Sequence, residues 1–399
     1  MIAHSDKQDC CGCSACADVC AHKSIKMRPD SEGFLYPDVD SDLCIDCGLC
    51  ESVCPMLGDS SILANDHSDR ECYLAYQTDR RQRRASSSGG VFPLLGTEIL
   101  RRGGKVAGAV YDCDFKVVHR VSDNPKLMER MRGSKYVQSD TSGVFREIRR
   151  LLAKGETVLM SGTPCQIAAL RRSLGGCDQE NLYTLEIVCH GVPSPLMLRQ
   201  YVAMLERRQG SRLSGLNMRS KRDGWLQGGY EAEFADGSRV LTPQATDVYS
   251  RGFLTDTRCL RPSCLKCRFK GAVHADLAIG DFWGLEHIDP AWFNAEGNSL
   301  VTVNSTKGRR LIEAVSDRLT LRREDFDTAC NFNSMIIRSE HDRGRDREAL
   351  YGDMRSLPFE ETARRHFALP GKADVRKWRL KNKAKEYYCM LMRLKHKLL

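Results

Sequence analysis

Cys10-Cys-Gly-Cys-Ser-Ala-Cys-Ala-Asp-Val-Cys20 and Cys44-Ile-Asp-Cys-Gly-Leu-Cys-Glu-Ser-Val-Cys-Pro55 decide how this chain of 399 residues begins. Each stretch contains a C-x2-C-x2-C-x3-C run: Cys10, Cys13, Cys16 and Cys20, then Cys44, Cys47, Cys50 and Cys54. A 4Fe–4S cube needs four thiolates at the corners of a tetrahedron. A C-x2-C-x2-C loop turns three sulfurs inward, and a distant cysteine supplies the fourth. The chain therefore reads first as an electron carrier.

In two-cluster ferredoxin-type runs the fourth cysteine serves the other cube. One cluster is thus assigned to Cys10, Cys13, Cys16 and Cys54, and the other to Cys44, Cys47, Cys50 and Cys20. Gly12 and Gly48 suit loops whose backbone passes close to an inorganic core, and Cys11 lies outside the register. Zinc sites use C-x2-C pairs rather than triple runs, and disulfides need an oxidising compartment. The segment Met-Ile-Ala-His-Ser-Asp-Lys at the start has no apolar export core, and no apolar run reaches membrane-span length. The expectation is a cytoplasmic protein with reduced thiols.

The first sixty residues are rich in cysteine and poor in core-forming side chains, so cubes rather than apolar burial should hold that lobe together. Residues 1–57 are read as the cluster lobe and the polar stretch 58–70 as a linker. The formal charge is +9, concentrated in a basic helical tail at 346–399. From Lys372 to Lys397 there are ten Lys and Arg against Asp374 and Glu386. Trp378, Leu380, Tyr387, Met390, Leu391 and Leu394 are interleaved at roughly helical spacing. The tail is read as a solvated helix lying on the body or a contact for an acidic partner, with peripheral contact to an anionic membrane surface as the alternative. No nucleic-acid recognition motif accompanies the charge.

From Glu71 onward, strand-like and helix-like stretches alternate, which argues α/β. Strands are expected at 72–76, 106–111, 116–119, 157–160, 182–188, 275–279 and 300–303, with a hairpin over 231–240. Helices are expected at 90–102, 142–153, 163–173 and 195–208. Ser86-Ser-Ser-Gly-Gly90 opens a helix and is a candidate anion site. In Ser161-Gly-Thr-Pro-Cys-Gln166, Thr163 can cap a helix and Pro164 suits its first turn. Cys165 then lies at the positive helix end, which favours thiolate. Cys189 ends another strand, at the sheet edge where α/β ligands gather. Cys259, Cys264 and Cys267 form C-x4-C-x2-C. A third 4Fe–4S cluster is expected on Cys165, Cys189, Cys264 and Cys267, with Cys259 in reserve and zinc as the alternative. Cys72, Cys113, Cys177, Cys330 and Cys389 are isolated and read as structural.

Ser88-Gly-Gly90, Gly133-Ser-Lys-Tyr136, Gly162-Thr-Pro-Cys-Gln166, Cys189-His-Gly191, Cys264-x2-Cys267 and Asp276-x4-Asp281-Phe-Trp-Gly284 together resemble the beta-subunit family of coenzyme F420 hydrogenases and dehydrogenases. The resemblance implies an FAD-binding protein with an iron–sulfur cluster beside the flavin. It implies an α+β ferredoxin-like N-terminal lobe with two 4Fe–4S sites, followed by a larger α/β flavin-binding domain. That domain would comprise an N-terminal part, 71–155, and a C-terminal part, 156–345, holding FAD and the third cluster. By the same resemblance Ser88, Gly89, Gly90, Lys135 and Tyr136 line the flavin site and Gly162, Thr163 and Pro164 form its other wall. Lys135 becomes a partner for flavin phosphate or for the reduced ring. Asp281, Phe282 and Trp283 are functional candidates, although aromatic pairs after a strand more often serve the core.

The resulting expectation is an oxidoreductase that passes electrons between ferredoxin-type clusters and a hydride-exchanging substrate through FAD. His190 is the candidate proton donor, since imidazole titrates near neutrality. A ferredoxin-like donor or acceptor and a small hydride substrate, with a deazaflavin coenzyme as one candidate, are the implied partners. The alternative is an electron-transfer subunit that docks on a partner enzyme and has no small-molecule site of its own. A cluster protein without flavin is the third reading.

Overall fold

The computed structural model describes residues 2, 6–58, 70–175, 179–271, 274–340 and 346–398. Most of the expected linker and Cys177 lie outside the described residues.

The N-terminal lobe has an antiparallel hairpin of β1 (Ile25–Pro29) and β2 (Leu35–Val39) beside two short helices, Ala15–Val19 and Leu49–Ser52. Its own apolar cluster is small, built on Ile2, Ile25, Cys16, Cys50 and Cys54. This is the core-poor α+β lobe that the composition implied.

The body holds β3 (Glu71–Gln77), β4 (Lys105–Tyr111), β5 (Val117–Ser122), β6 (Val158–Gly162), β7 (Leu182–Ile187), β8 (Leu213–Ser220), β9 (Gly229–Phe234), β10 (Arg239–Pro243), β11 (Leu277–Asp281), β12 (Ser299–Val303) and β13 (Leu319–Glu324). Eight of these form one mixed sheet in the order β13-β3-β12-β11-β7-β6-β4-β5. Its centre, β4-β6-β7-β11, is parallel. Strand β12 is buried along its whole length, as its unbroken Ser-Leu-Val-Thr-Val run requires of a strand covered on both faces. Helix Val91–Arg101 covers one face through Val91, Leu94, Leu95 and Ile99. Helices Val144–Leu152 and Pro164–Leu174 cover the other. The pieces 71–155 and 156–345 thus share a single sheet. Parallel β6, β7 and β11 all end on the same side, and the loops after Gly162, Ile187 and Asp281 gather there.

A second sheet, β10-β9-β8, packs with helix Pro195–Gln209. Strand β8 was not legible, because Leu-Ser-Gly-Leu-Asn-Met-Arg-Ser has no clean alternation. Edge strand β13, Leu-Thr-Leu-Arg-Arg-Glu, alternates apolar and polar residues too briefly to stand out. The segment 346–399 divides in two. Helices Arg347–Ser356 and Phe359–His366 bury Leu350, Tyr351, Met354, Phe359 and Ala363 in the core beside Tyr201. Only the helix Lys372–Leu398 lies along the surface. Among the described residues no helix is long and apolar enough to cross a membrane.

The lobe is keyed onto the body by polar groups. The Asp18 carboxylate accepts from Gly143 N (2.6 Å) and Phe145 N (3.0 Å), where the helix Val144–Leu152 begins. Thr141 Oγ1 donates to Cys13 O at 2.7 Å. Arg261, 0% exposed, donates to Cys10 O (2.7 Å), Leu35 O (3.0 Å) and Gln138 Oε1 (2.9 Å), and stacks over Tyr36. A fully buried guanidinium needs such a set of acceptors to offset its desolvation.

Candidate redox site

Cys10, Cys13, Cys16 and Cys54 are all buried, and burial together with neighbouring sulfurs raises the pKa of Cys13, Cys16 and Cys54. Burial first, then the neighbouring sulfurs Cys10 and Cys54, push Cys16 up to about 12. Thiols gathered like this do not ionise together unless a cationic group sits among them, so the donor set fits an iron cube. Ser14 turns through the left-handed region at φ 62°, as the tight loop requires. Of the other set, Cys50 is buried, Cys20 and Cys44 are half-buried, and Cys47 is exposed. Cys20 is hydrogen-bonded to Ser24 Oγ at 3.1 Å. Leu43, Ile45 and Leu49 stand out into solvent around Cys44 and Cys47.

The late cysteines also meet. Cys165 begins the helix Pro164–Leu174, Cys189 follows β7, and Cys264 and Cys267 bracket the turn Pro262–Lys266. Burial pushes Cys189 up to about 12 and raises Cys264 and Cys267, and each of the three feels the neighbouring sulfurs, Cys165 among them. Thr163 Oγ1 lies 3.1 Å from Cys165 Sγ, and Thr163 N donates to Gln166 Oε1 at 2.9 Å, closing the expected helix cap. Cys259 is fully buried elsewhere, beside Asp256, Arg258 and Arg347, with its carbonyl accepting from Tyr351 OH. Cys11, which the motif left aside, touches both the Cys13 and Cys165 thiols. It therefore lies between the N-terminal set and the late set. Among the isolated cysteines, Cys72, Cys330 and Cys389 are buried and Cys113 is exposed.

A cleft of ≈ 420 Å³ opens at the ends of the parallel strands. Ser88, Gly90, Lys135, Tyr136, Gly162, Thr163, Cys189 and His190 line it. Gly89 and Pro164 do not. Gly89 is pinned against the sheet by its N–H to Ser299 Oγ (2.8 Å), and a Cβ there would meet Ala75 O at 2.4 Å. Pro164 lines a smaller hollow with Glu186 and Cys189. Ser88 Oγ donates to Asn298 O at 2.6 Å, and Ser87 Oγ accepts from Ser134 N at 2.7 Å, so the two cleft loops are tied to the sheet and to each other. The Lys135 ammonium is held by the carbonyls of Arg130, Met131, Arg132 and Gly133 at 2.9–3.2 Å, beyond the end of helix Pro125–Met131. Its stem, not its charge, faces the cleft.

Several residues at or beside the cleft were not singled out from the sequence. Arg219, at the end of the unrecognised β8, is 2% exposed. Its Nη1 and Nη2 have no hydrogen-bond partner, while Asp281 Oδ2 lies 3.6 Å away and the Trp283 ring lies beneath it. Lys221 donates to the carbonyls of Arg83, Ser88 and Glu296, bracing the serine loop. His119 lines the cleft with Nε2 3.0 Å from Ser161 O, and burial lowers its pKa to about 4, so it is neutral. The Asp281-Phe-Trp motif divides. Phe282 is core, whereas Trp283 lines the cleft and stacks on Trp225 at 5.0 Å, and Asp281 accepts from Trp225 Nε1. His190 lies edge-on to Phe253, with Nδ1 3.8 Å from Glu340 Oε1.

Residues 9–57 match a family described as 4Fe-4S dicluster domain, and residues 155–328 match the C terminus of the coenzyme F420 hydrogenase/dehydrogenase beta subunit. No curated protein matches. A chain of the F420-reducing NiFe hydrogenase complex from Methanosarcina barkeri, studied by xenon derivatization, is similar at 16% identity. That likeness covers 69% of this chain and 90% of that one, with a TM-score of 0.48. The chain thus carries a region that matches the C terminus of the coenzyme F420 hydrogenase/dehydrogenase beta subunit, with a match to a 4Fe-4S dicluster domain in front of it.

Proposed function

We propose that the chain is an iron–sulfur flavoprotein that passes electrons between the N-terminal lobe and a hydride-exchanging substrate. The observation that carries this reading is the position of Cys11, in contact with Cys13 on one side and Cys165 on the other. The inner N-terminal set, the late set and the cleft are thereby contiguous, since Cys189 belongs to the late set and also lines the cleft. Cys165, Cys189, Cys264 and Cys267 would hold a third 4Fe–4S cluster. FAD would lie in the cleft, where its ring can exchange hydride on one side and single electrons on the other.

The chain's own groups fit that load. Ser88, Gly90, Gly162 and Thr163 leave backbone and small side chains along the cleft, which lets a flat ring approach closely. Gly89 and Pro164 shape the loops from behind. Tyr136 stacks on Phe253 at 5.0 Å and offers an aromatic wall. Lys135 positions its loop rather than meeting a phosphate. The Arg219 guanidinium, whose Nη1 and Nη2 make no hydrogen bond, supports a polar ligand group at the Trp283 end. Because His119 is held neutral by burial, proton delivery falls to His190, whose Nδ1 lies 3.8 Å from Glu340 Oε1.

Anaerobic reconstitution tests the reading. Three cubes give roughly twelve irons per chain and two give roughly eight. One FAD per chain is expected, with Arg219→Ala weakening flavin retention about tenfold or more. Protein that binds no added FAD refutes the flavin reading. The docking-subunit reading draws on Leu43, Ile45 and Leu49, which make an apolar patch around exposed Cys47. It predominates if flavin binds but no small hydride donor or acceptor reacts.

A further inference from the structure

The helix Lys372–Leu398 is fastened to the body by one face only. Asn382 Nδ2 donates to Leu226 O, Glu386 accepts from Leu226 N, Lys385 pairs with Glu286 at 3.0 Å, and Cys389 is buried in the core beneath. The opposite face is unusual. Leu380 (60% exposed), Tyr387, Tyr388, Met390, Leu391 and Leu394 all stand in solvent. At 100° per residue these span an arc of about 160°, wider than the a/d seam of a coiled coil. Singly exposed apolar residues need no explanation, but six on one convex face do.

Charge says what covers them. Lys372, Arg376, Arg379 and Lys383 recur every three or four residues and line a hollow of ≈ 300 Å³ with Val375 and Leu380. At the same pitch Lys377 and Lys395 fall on the outward arc itself and Lys381 at its edge, so cations are interleaved with the exposed apolar residues. The helix has two carboxylates, Asp374 and Glu386, and Glu386 is turned inward against Gly224 and Leu226. A second copy of the same face is therefore repelled. Exposed Tyr, Leu and Met side chains interleaved with cations on long apolar stems are the pattern of a helix that lies in a membrane interface with its charges snorkelled to the headgroups.

We infer that this helix seats the protein on an anionic lipid surface, with the basic half over the headgroups and Tyr387, Leu391 and Leu394 inserted below them. The same helix holds the Trp225–Leu226 loop, and Trp225 stacks on Trp283 in the cleft wall, so the seat adjoins the proposed redox site. The inference does not depend on which cofactor that site takes.

The test is co-sedimentation of the full holoprotein with phosphatidylcholine vesicles, with and without one quarter phosphatidylglycerol. Binding is expected to the anionic vesicles only and to weaken at 0.5 M salt. Leu391→Glu with Tyr387→Glu is expected to lower it at least about tenfold, as is Arg376→Glu with Lys383→Glu. All four side chains face outward, so unchanged iron content and melting temperature verify the fold. Equal sedimentation with neutral vesicles, wild-type binding by either variant, or binding to an acidic helical peptide without vesicle binding overturns the inference.

Discussion

The two N-terminal cysteine runs share one spacing and sit in opposite surroundings. The Cys10–Cys20 run faces the body. A Cβ on Gly12 would lie 2.1 Å from Gln138 Nε2 and 2.7 Å from Arg261 Nη1, so that glycine is dictated by two side chains of the larger domain. The Cys44–Cys47 end of the second run faces solvent. Gly48 has the same left-handed backbone, φ +73°, yet nothing lies within 4 Å of where its Cβ would be. One motif is clamped by body side chains and the other keeps an open apolar rim. The difference teaches that equal ligand spacing does not mean equal function. Under the proposed function the inner set would pass electrons inward and the outer set would meet a partner.

The comparison breaks most severely at Arg261. Arg261→Ala removes two charge-assisted bonds to the lobe, at Cys10 O and Leu35 O, and one to Gln138 within the body, and leaves their acceptors buried. A loss on the order of 3–5 kcal/mol is expected, seen as a lower melting temperature, and Arg261→Lys should not rescue it because lysine lacks the fork. Cysteine substitutions should separate the two runs next. Cys16→Ser and Cys47→Ser are each expected to lower iron by about four per chain. Only Cys16→Ser should also lower the melting temperature markedly, because it leaves a polar group in the buried core. Equal thermal effects would erase the distinction.

Smaller effects test the outer rim. Ile45→Glu, at a side chain 63% exposed, should leave iron content and stability unchanged while slowing reduction by a ferredoxin-type donor several-fold. The smallest effect is a pH slope at Glu186, beside Cys189 in the lesser hollow. Burial raises its pKa from the ordinary 4.5 to about 8. The folded protein then holds a proton that the unfolded chain releases. Its contribution is full below about pH 4.5 and is lost as pH rises through 8. Glu186→Gln should flatten the melting-temperature profile between about pH 5 and about pH 8.

The inner run, the outer run and the strand-end loops were legible in the sequence because their information is local. Cys165 at a helix start and Pro164 in its first turn follow from adjacent residues. Contacts between distant segments were not legible. Nothing in the motif announced that Cys11 would reach Cys165, or that Arg261 would fill the space beside Gly12. Arg219 was hidden because β8 lacks alternation, although two cations in Met218-Arg-Ser-Lys221 at the end of a strand were a usable signal. The surface tail was overestimated in extent for a related reason. The apolar spacing of Leu350, Tyr351 and Met354 was masked by nearby charges, and burial against Tyr201 makes that helix core.

The central claim is that the inner run leads to a third cluster at the cleft. Its most direct test is the iron content of Cys264→Ser after anaerobic reconstitution. The account expects a fall from roughly twelve irons to roughly eight, with FAD still bound. Iron unchanged from the wild type would contradict it.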